Sequence, residues 1–243
     1  MIANDDEPFE AMLRKLDTLA KMDEADRSAI KALPFTVLSA EAGEYLVRER
    51  QYETSCCILL SGYACRHKAT VRGDRQIVSF HIPGDVLDVW TLLYAVADHN
   101  IQTITAARYL VVPSQDLKRV AEARRNVADA LWRDSLIDAS VFRQWVLNVG
   151  RRDAKSRIAH MLCEFATRCA LADSGRTDRF EFPLTQADIG DATGLSAVHV
   201  SRTLAGMVAE RLITCERGMV RVADWGALCG AAAFDPTYLH AAA

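Results

Sequence analysis

The residues best placed to do chemistry lie between Thr185 and Arg202, in the stretch LTQADIGDATGLSAVHVSRTL. Val200, Leu204 and Met207 recur at steps of four and three, which puts them on one narrow side of a helix. Ala197, Val198, Ser201 and Arg202 fall on the opposite side. A short helix with so little apolar surface to bury keeps its other face free. Such a face can enter the major groove of DNA, which is about 12 Å wide. The chemistry on offer is therefore hydrogen bonding to base edges and phosphates. No nucleophile, base and orienting group occur with a spacing that suggests an enzyme.

Elements to position that face are legible around it. Thr185, followed three residues later by Asp188, predicts a capped helix start, with a hydroxyl accepting from a free backbone N–H and a carboxylate at the positive end. Ile189 is expected to point inward, and Gly190 to admit a second helix at close range. Gly194 is expected to end the first helix in a left-handed conformation, and Ser196 to cap the next. Two helices joined by so short a turn make a helix-turn-helix. Beyond it, RLITCERGMVRV reads as two strands around Arg217-Gly218, a wing that places Arg217 and Arg221 near phosphates.

Upstream, the texture changes three times. Short amphipathic helices are expected at Phe9–Leu19 and Asp26–Ala32. After Pro34 the β-branched and aromatic segments FTVLSAEAGEYLVRER, CCILLSGYACRHK, RQIVSFHIPGD and IQTITAARYLVVP alternate with glycine and proline turns. That pattern predicts an antiparallel β-sandwich or barrel. From Asp116 to Val149 a long helix is expected, with Ala128, Leu131, Ala139, Phe142, Val146 and Val149 in mixed three- and four-residue steps and Trp132, Leu136 and Trp145 widening the stripe. Its economical partner is a second copy of the same helix, and Gly150 is expected to end it. Another helix follows over 152–171, and then ADSGRTDRF as a polar loop.

Composition narrows the class. The chain has 243 residues, half of them hydrophobic, enough for two domains. Net charge is −3; between Arg151 and Val222 eleven Lys/Arg face nine Asp/Glu, too mild an excess to select a nucleic-acid partner by charge alone. The start, MIANDDEPFE, lacks the basic and apolar regions of a secretory leader, and no run is long enough to span a membrane, so a cytoplasmic protein with no membrane partner is expected. Seven cysteines, an odd and scattered set, predict reduced thiols. Cys65 and His67 share a strand face and with Cys56 or Cys57 form the best metal or haem candidate, yet packing residues are the expectation and no metal site or cofactor is predicted. Cys163 and Cys169 face differently on their helix, and His81, His160 and His240 have no evident partners.

The order of parts resembles the Crp/Fnr family of bacterial transcription regulators, over nearly the whole chain. The carrying motifs are LTQADIGDATGLSAVHVSRTL with the following AERLI, FHIPGD, and FRQWVLNVGRRDAKSRIAHMLCE. The resemblance implies an α+β protein. An N-terminal double-stranded antiparallel β-roll, jelly-roll-like and of the cyclic-nucleotide-binding type, would occupy residues 1–116 with its helices. A dimerisation helix and hinge would span 117–150, and a winged helix-turn-helix 151–243. It also implies a homodimer joined through the 117–149 helix, a palindromic double-stranded DNA operator, and RNA polymerase as a partner if the protein activates. Thr185, Gln186, Ser196, Ala197, Val198, His199, Ser201, Arg202 and Arg217 form the DNA-facing set, with Arg202 at the family's base-reading arginine. An arginine there pairs with guanine O6 and N7, worth about 1 to 3 kcal/mol of discrimination. Val198 stands where several family members have a glutamate, and a valine contacts a thymine methyl instead of accepting from cytosine.

In PGDVLDVWTLLYAVADHNIQTITA the cyclic-AMP cassette is missing: Val89 stands near the place of its glutamate and Asn100 near that of its arginine. A buried phosphate would lack charge-assisted partners, unless Arg108 or His99 substitutes. The effector is therefore expected to be other than cyclic AMP, with Val89, Trp90 and Asn100 as candidate effector-facing residues. No cysteine precedes Cys56, which leaves no N-terminal set for an iron–sulfur cluster. The competing reading is a small-molecule-sensing module for haem, metal or an apolar ligand, whose winged helix serves a protein partner.

Overall fold

A computed structural model describes residues 8–240; the polar start over 1–7 lies outside them. The chain divides into two compact units. One contains the residues to His67 and Phe80–Asp138, the other Lys68–Ser79 and Ala139–His240.

The first unit opens with α1 (Glu10–Leu19) and α2 (Glu24–Lys31). Asp23 and Asp26 start α2 with reciprocal side-chain to backbone bonds of 2.8 and 2.9 Å. Seven strands follow in the chain, the end of the fourth and most of the fifth grouping with the second unit: β1 (Thr36–Ala40), β2 (Tyr45–Val47), β3 (Ser55–Ser61), β4 (Ala64–Ala69), β5 (Arg75–His81), β6 (Asn100–Thr103) and β7 (Ala107–Pro113). They form two sheets, ordered β1-β7-β3 and β2-β6-β4-β5, with antiparallel ladders such as Thr36 opposite Val111 and His67 opposite Asn100. The antiparallel roll expected from the sequence is thus present. A short 3-10 helix, Val89–Leu92, follows β5.

Strand β3 explains why CCILL is continuously apolar. Cys56, Ile58 and Leu60 join a core with Phe9, Met12, Leu13, Ile30, Leu110 and Leu117, whereas Cys57 and Leu59 face a second core with Val47, Leu87 and Ile101. A strand buried on both faces cannot alternate. The adjacent cysteines consequently point into different cores. His67, edge-on to Tyr45 at 5.8 Å, and Cys65 are both buried, and among the described residues no His/Cys/Asp/Glu group is assembled to hold a metal ion.

The long helical stretch is two helices, α3 (Ser114–Ala123) and α4 (Arg125–Arg151), with Arg124 extended between them. The side chain of Arg124 reaches Asp26 at 2.6 Å and Asp23 at 2.8 Å. Burial alone would raise the Asp26 carboxyl, but Asn126, the Asp23 N–H and Arg124 outweigh it and hold it down to about 2. Gly150 does not end α4, contrary to expectation. The helix passes through it to Arg151, and α5 (Ala154–Cys169) begins where the Asp153 carboxylate accepts from Ser156 N at 2.9 Å.

In the second unit α5 is central, burying Ile158, Leu162 and Phe165. After a π turn at Ala170–Ser174, part of the expected polar loop is instead a strand, β8 (Arg179–Glu181). Then come α6 (Gln186–Thr193), α7 (Ala197–Ala209), β9 (Ile213–Glu216), β10 (Met219–Val222), α8 (Trp225–Ala232) and a 3-10 turn at Pro236–Leu239. The sheet order is β8-β10-β9, all antiparallel. Phe180 and Phe182 from β8 and its continuation pack on Phe165, with ring centroids 6.1 and 5.1 Å away. Trp145 of α4 donates to Glu164 at 2.9 Å and the Tyr238 hydroxyl donates to the other carboxylate oxygen at 2.6 Å, so this buried acid is satisfied on both sides.

A candidate nucleic-acid interface

The helix-turn-helix is built from local bonds. Thr185 Oγ1 accepts from Asp188 N at 3.1 Å while Asp188 Oδ2 accepts from Thr185 N at 3.0 Å, closing the capping box at the start of α6. At the other end Gly194 takes φ 68°, ψ 32°, and its N–H returns to the Gly190 carbonyl. A Cβ on Gly190 would stand 2.5 Å from the Leu195 carbonyl oxygen. Gly190 is thus required by the turn itself rather than by a second helix. Arg157 donates to the Thr193 carbonyl at 2.9 Å, placing a cation at the negative end of α6. Ser196 then caps α7 by accepting from His199 N at 3.3 Å.

Helix α7 buries Val200 and Met207 completely and Leu204 partly. Ser196, Ala197, Val198, His199, Ser201 and Arg202 are exposed, Val198 to 65%. A bare β-branched side chain so exposed gains nothing from folding. Arg202 has neither an ion pair nor a hydrogen bond among the described residues. Thr185 and Gln186 are exposed at the start of α6. These residues of the expected set are thus exposed on α6 and α7, with the Thr185 and Ser196 hydroxyls engaged as caps.

The wing carries Arg217 at its tip. Arg217 (φ 49°) and Gly218 (φ 76°) form the two-residue turn between Glu216 and Met219, the geometry of a tight hairpin that favours Asn-Gly over Arg-Gly. Arg179 was not foreseen, because its strand pairing depends on a segment some forty residues on. Arg221 stands directly opposite both Arg179 and Thr214. Like charges facing each other across strands are unfavourable without a counter-charge; Arg179, Arg221 and Arg217 line a shallow groove on the wing together with Glu216.

The three effector candidates, all in the first unit, do not converge. Val89 packs against the helix-covered core, Trp90 against the roll core and edge-on to His99 at 5.8 Å, and Asn100 Oδ1 accepts from Glu49 N at 3.0 Å. Sequence reasoning passed over Asp88. One of its oxygens accepts from Cys57 N at 2.7 Å, and burial raises its carboxyl to about 7. Its other oxygen, Trp90 Nε1 and His99 Nε2 are buried with no hydrogen-bond partner in the structure.

The chain matches the family model of the cyclic nucleotide-binding domain over residues 37–124 and that of the Crp-like helix-turn-helix domain over residues 156–231. It is 29% identical over 182 residues to the transcriptional activatory protein AadR of Rhodopseudomonas palustris, covering 74% of each chain. With the nitrogen fixation regulation protein FixK of Bradyrhizobium diazoefficiens it shares 28% over 188 residues, 75% of this chain and 76% of that one. The structure of FixK2 from Bradyrhizobium japonicum has the same fold, with a TM-score of 0.75 at 23% identity, covering 84% of this chain and all of the other.

Proposed function

Because the chain belongs to the Crp/Fnr family of transcription regulators, we propose that it binds a palindromic DNA operator as a homodimer through α7. The carrying observation is the exposed and unpaired side of that helix, with Arg202 at its centre. In each half-site Arg202 donates its guanidinium fork to a guanine, and Val198 touches a thymine methyl. Ser196, His199 and Ser201 supply further polar contacts, and Ala197 allows close approach. Thr185 and Gln186 hold phosphates at the start of α6; Arg217, Arg221 and Arg179 do so along the wing.

The homodimer is formed along α4, whose exposed side carries Trp132, Leu136, Phe142 and Val146. Its operator half-sites then lie about one helical turn, ~34 Å, apart. RNA polymerase is the further partner if the bound dimer activates. In the roll, Val89 and Asn100 offer no charge to a cyclic phosphate, so the effector is something other than cyclic AMP. Such an effector shifts the dimer only by binding one state more tightly than the other.

Selection from a randomised duplex pool tests this reading. It should enrich a two-fold palindrome, with a guanine contact that disappears when Arg202→Ala is used for the selection. Recovery of no shared sequence, or retention only of a protein partner, contradicts it.

A further inference from the structure

A long-range contact in the second unit ties β5 to α6. Arg75 of β5, 113 positions from Asp188 in sequence, donates from Nη2 to Asp188 Oδ1 at 2.6 Å and from Nε to Asp191 Oδ2 at 2.7 Å. Its neighbour Gln76 donates from Nε2 to the backbone carbonyls of Asp191, at 2.7 Å, and Ala192, at 3.3 Å. Both aspartates belong to α6, and both pairs are partly shielded, with side-chain exposures of 27% for Arg75, 14% for Asp188 and 33% for Asp191. Asp188 is simultaneously the acid of the capping box, its Oδ2 accepting from Thr185 Oγ1 at 2.6 Å.

Helix α6 thus presents two carboxylates close to Thr185 and Gln186, the residues assigned above to phosphates. Unneutralised negative charge so placed repels a phosphate backbone over a screening length of about 8 to 10 Å. Arg75 bonds both carboxylates with one guanidinium, whose fork fits them closely, and so offsets one of the two negative charges. Gln76 meanwhile satisfies carbonyls in the last turn of the same helix.

We infer that Arg75 is a positioning residue for DNA binding: it lies outside the helix-turn-helix, holds α6 in place and lowers the negative charge that would oppose the operator backbone. The inference rests on the DNA-binding reading. Its test uses the full-length protein and a duplex selected by the wild type, with affinities measured across a salt series and thermal unfolding followed in parallel.

Arg75→Gln should weaken binding by tenfold or more at low salt, with the deficit shrinking as salt rises. Adding Asp191→Asn to Arg75→Gln should recover most of the loss although the ion pair is still absent. A purely structural clamp would give no such recovery. The charge exchange Arg75→Glu with Asp191→Arg should also bind better than Arg75→Glu alone. Unchanged or tighter binding by Arg75→Gln overturns the inference, as does failure of Asp191→Asn to restore a folded Arg75→Gln protein. Absence of binding by the wild type overturns the DNA reading as well, and is distinguishable because every variant then behaves like the parent.

Discussion

At the scale of single residues, Arg202 and His160 sit at opposite extremes. Arg202 is exposed and unpaired, so removing it costs the fold little. Arg202→Ala should leave the melting temperature nearly unchanged and cost about 1 to 3 kcal/mol per half-site, with preference lost at one base pair. Competition between duplexes differing at that pair reads it out, and undiminished preference refutes the role. His160 is buried, stacked on Tyr238 at 5.8 Å and edge-on to Phe234 at 5.4 Å, with both ring nitrogens unbonded. Burial, reinforced by the charge of Arg152, lowers its pKa to about 3. An unfolded histidine titrates near 6.5, at about 1.4 kcal/mol per pH unit. The neutral ring therefore contributes fully above that pH, and its contribution is lost as pH falls toward the folded value. His160→Phe should flatten the decline in stability between pH 6 and pH 4, measured by denaturant unfolding; an unchanged slope refutes the assignment. Arg202 was legible because a helix face is set by local periodicity. His160 was not: its aromatic neighbours lie more than seventy residues away, and only folding brings them to it.

At the scale of elements, capping and turn chemistry were read from the sequence because the partners are adjacent. Thr185 with Asp188, Gly194, and Ser196 behave as their spacing predicts. Long-range pairing was not legible: β8 exists because β10 supplies its ladder, and α3 breaks from α4 where Arg124 reaches back to Asp23 and Asp26. Gly150 misleads for the opposite reason, since the continuous backbone of α4 outweighs a glycine's modest helix penalty of about 1 kcal/mol. Helix α4 has two apolar sides. Val127, Leu131, Val141 and Trp145 are buried within the chain, while Trp132 and Val146 remain 67% and 60% exposed. Burying such side chains is worth roughly 1.5 to 3 kcal/mol each, which favours a second copy as cover. The combined change Leu136→Glu and Val146→Glu should convert a dimer to monomers in sedimentation velocity at micromolar concentration. Persistence of the dimer would assign its interface to another surface.

At the scale of the whole molecule, the antiparallel roll, the long helical stretch and the winged helix-turn-helix were all legible in the sequence. The division into units was not: Lys68–Ser79 clusters with the DNA-binding helices rather than with the strands around it in sequence. Within that grouping Arg75 and Gln76 meet α6, more than 110 positions away in the sequence. The effector stayed hidden in the sequence, because the surroundings of Val89, Trp90 and Asn100 are fixed only once their segment is wrapped into the roll. A dimer reading a two-fold operator through α7 can be recognised by titrating the selected duplex and a duplex carrying one half-site while measuring stoichiometry and salt dependence. Two protomers should bind each full palindrome, the half-site should bind much more weakly, and affinity should fall steeply with salt as phosphate counterions are released. One protomer per duplex with equal affinity for both DNAs, or binding indifferent to salt, would contradict it.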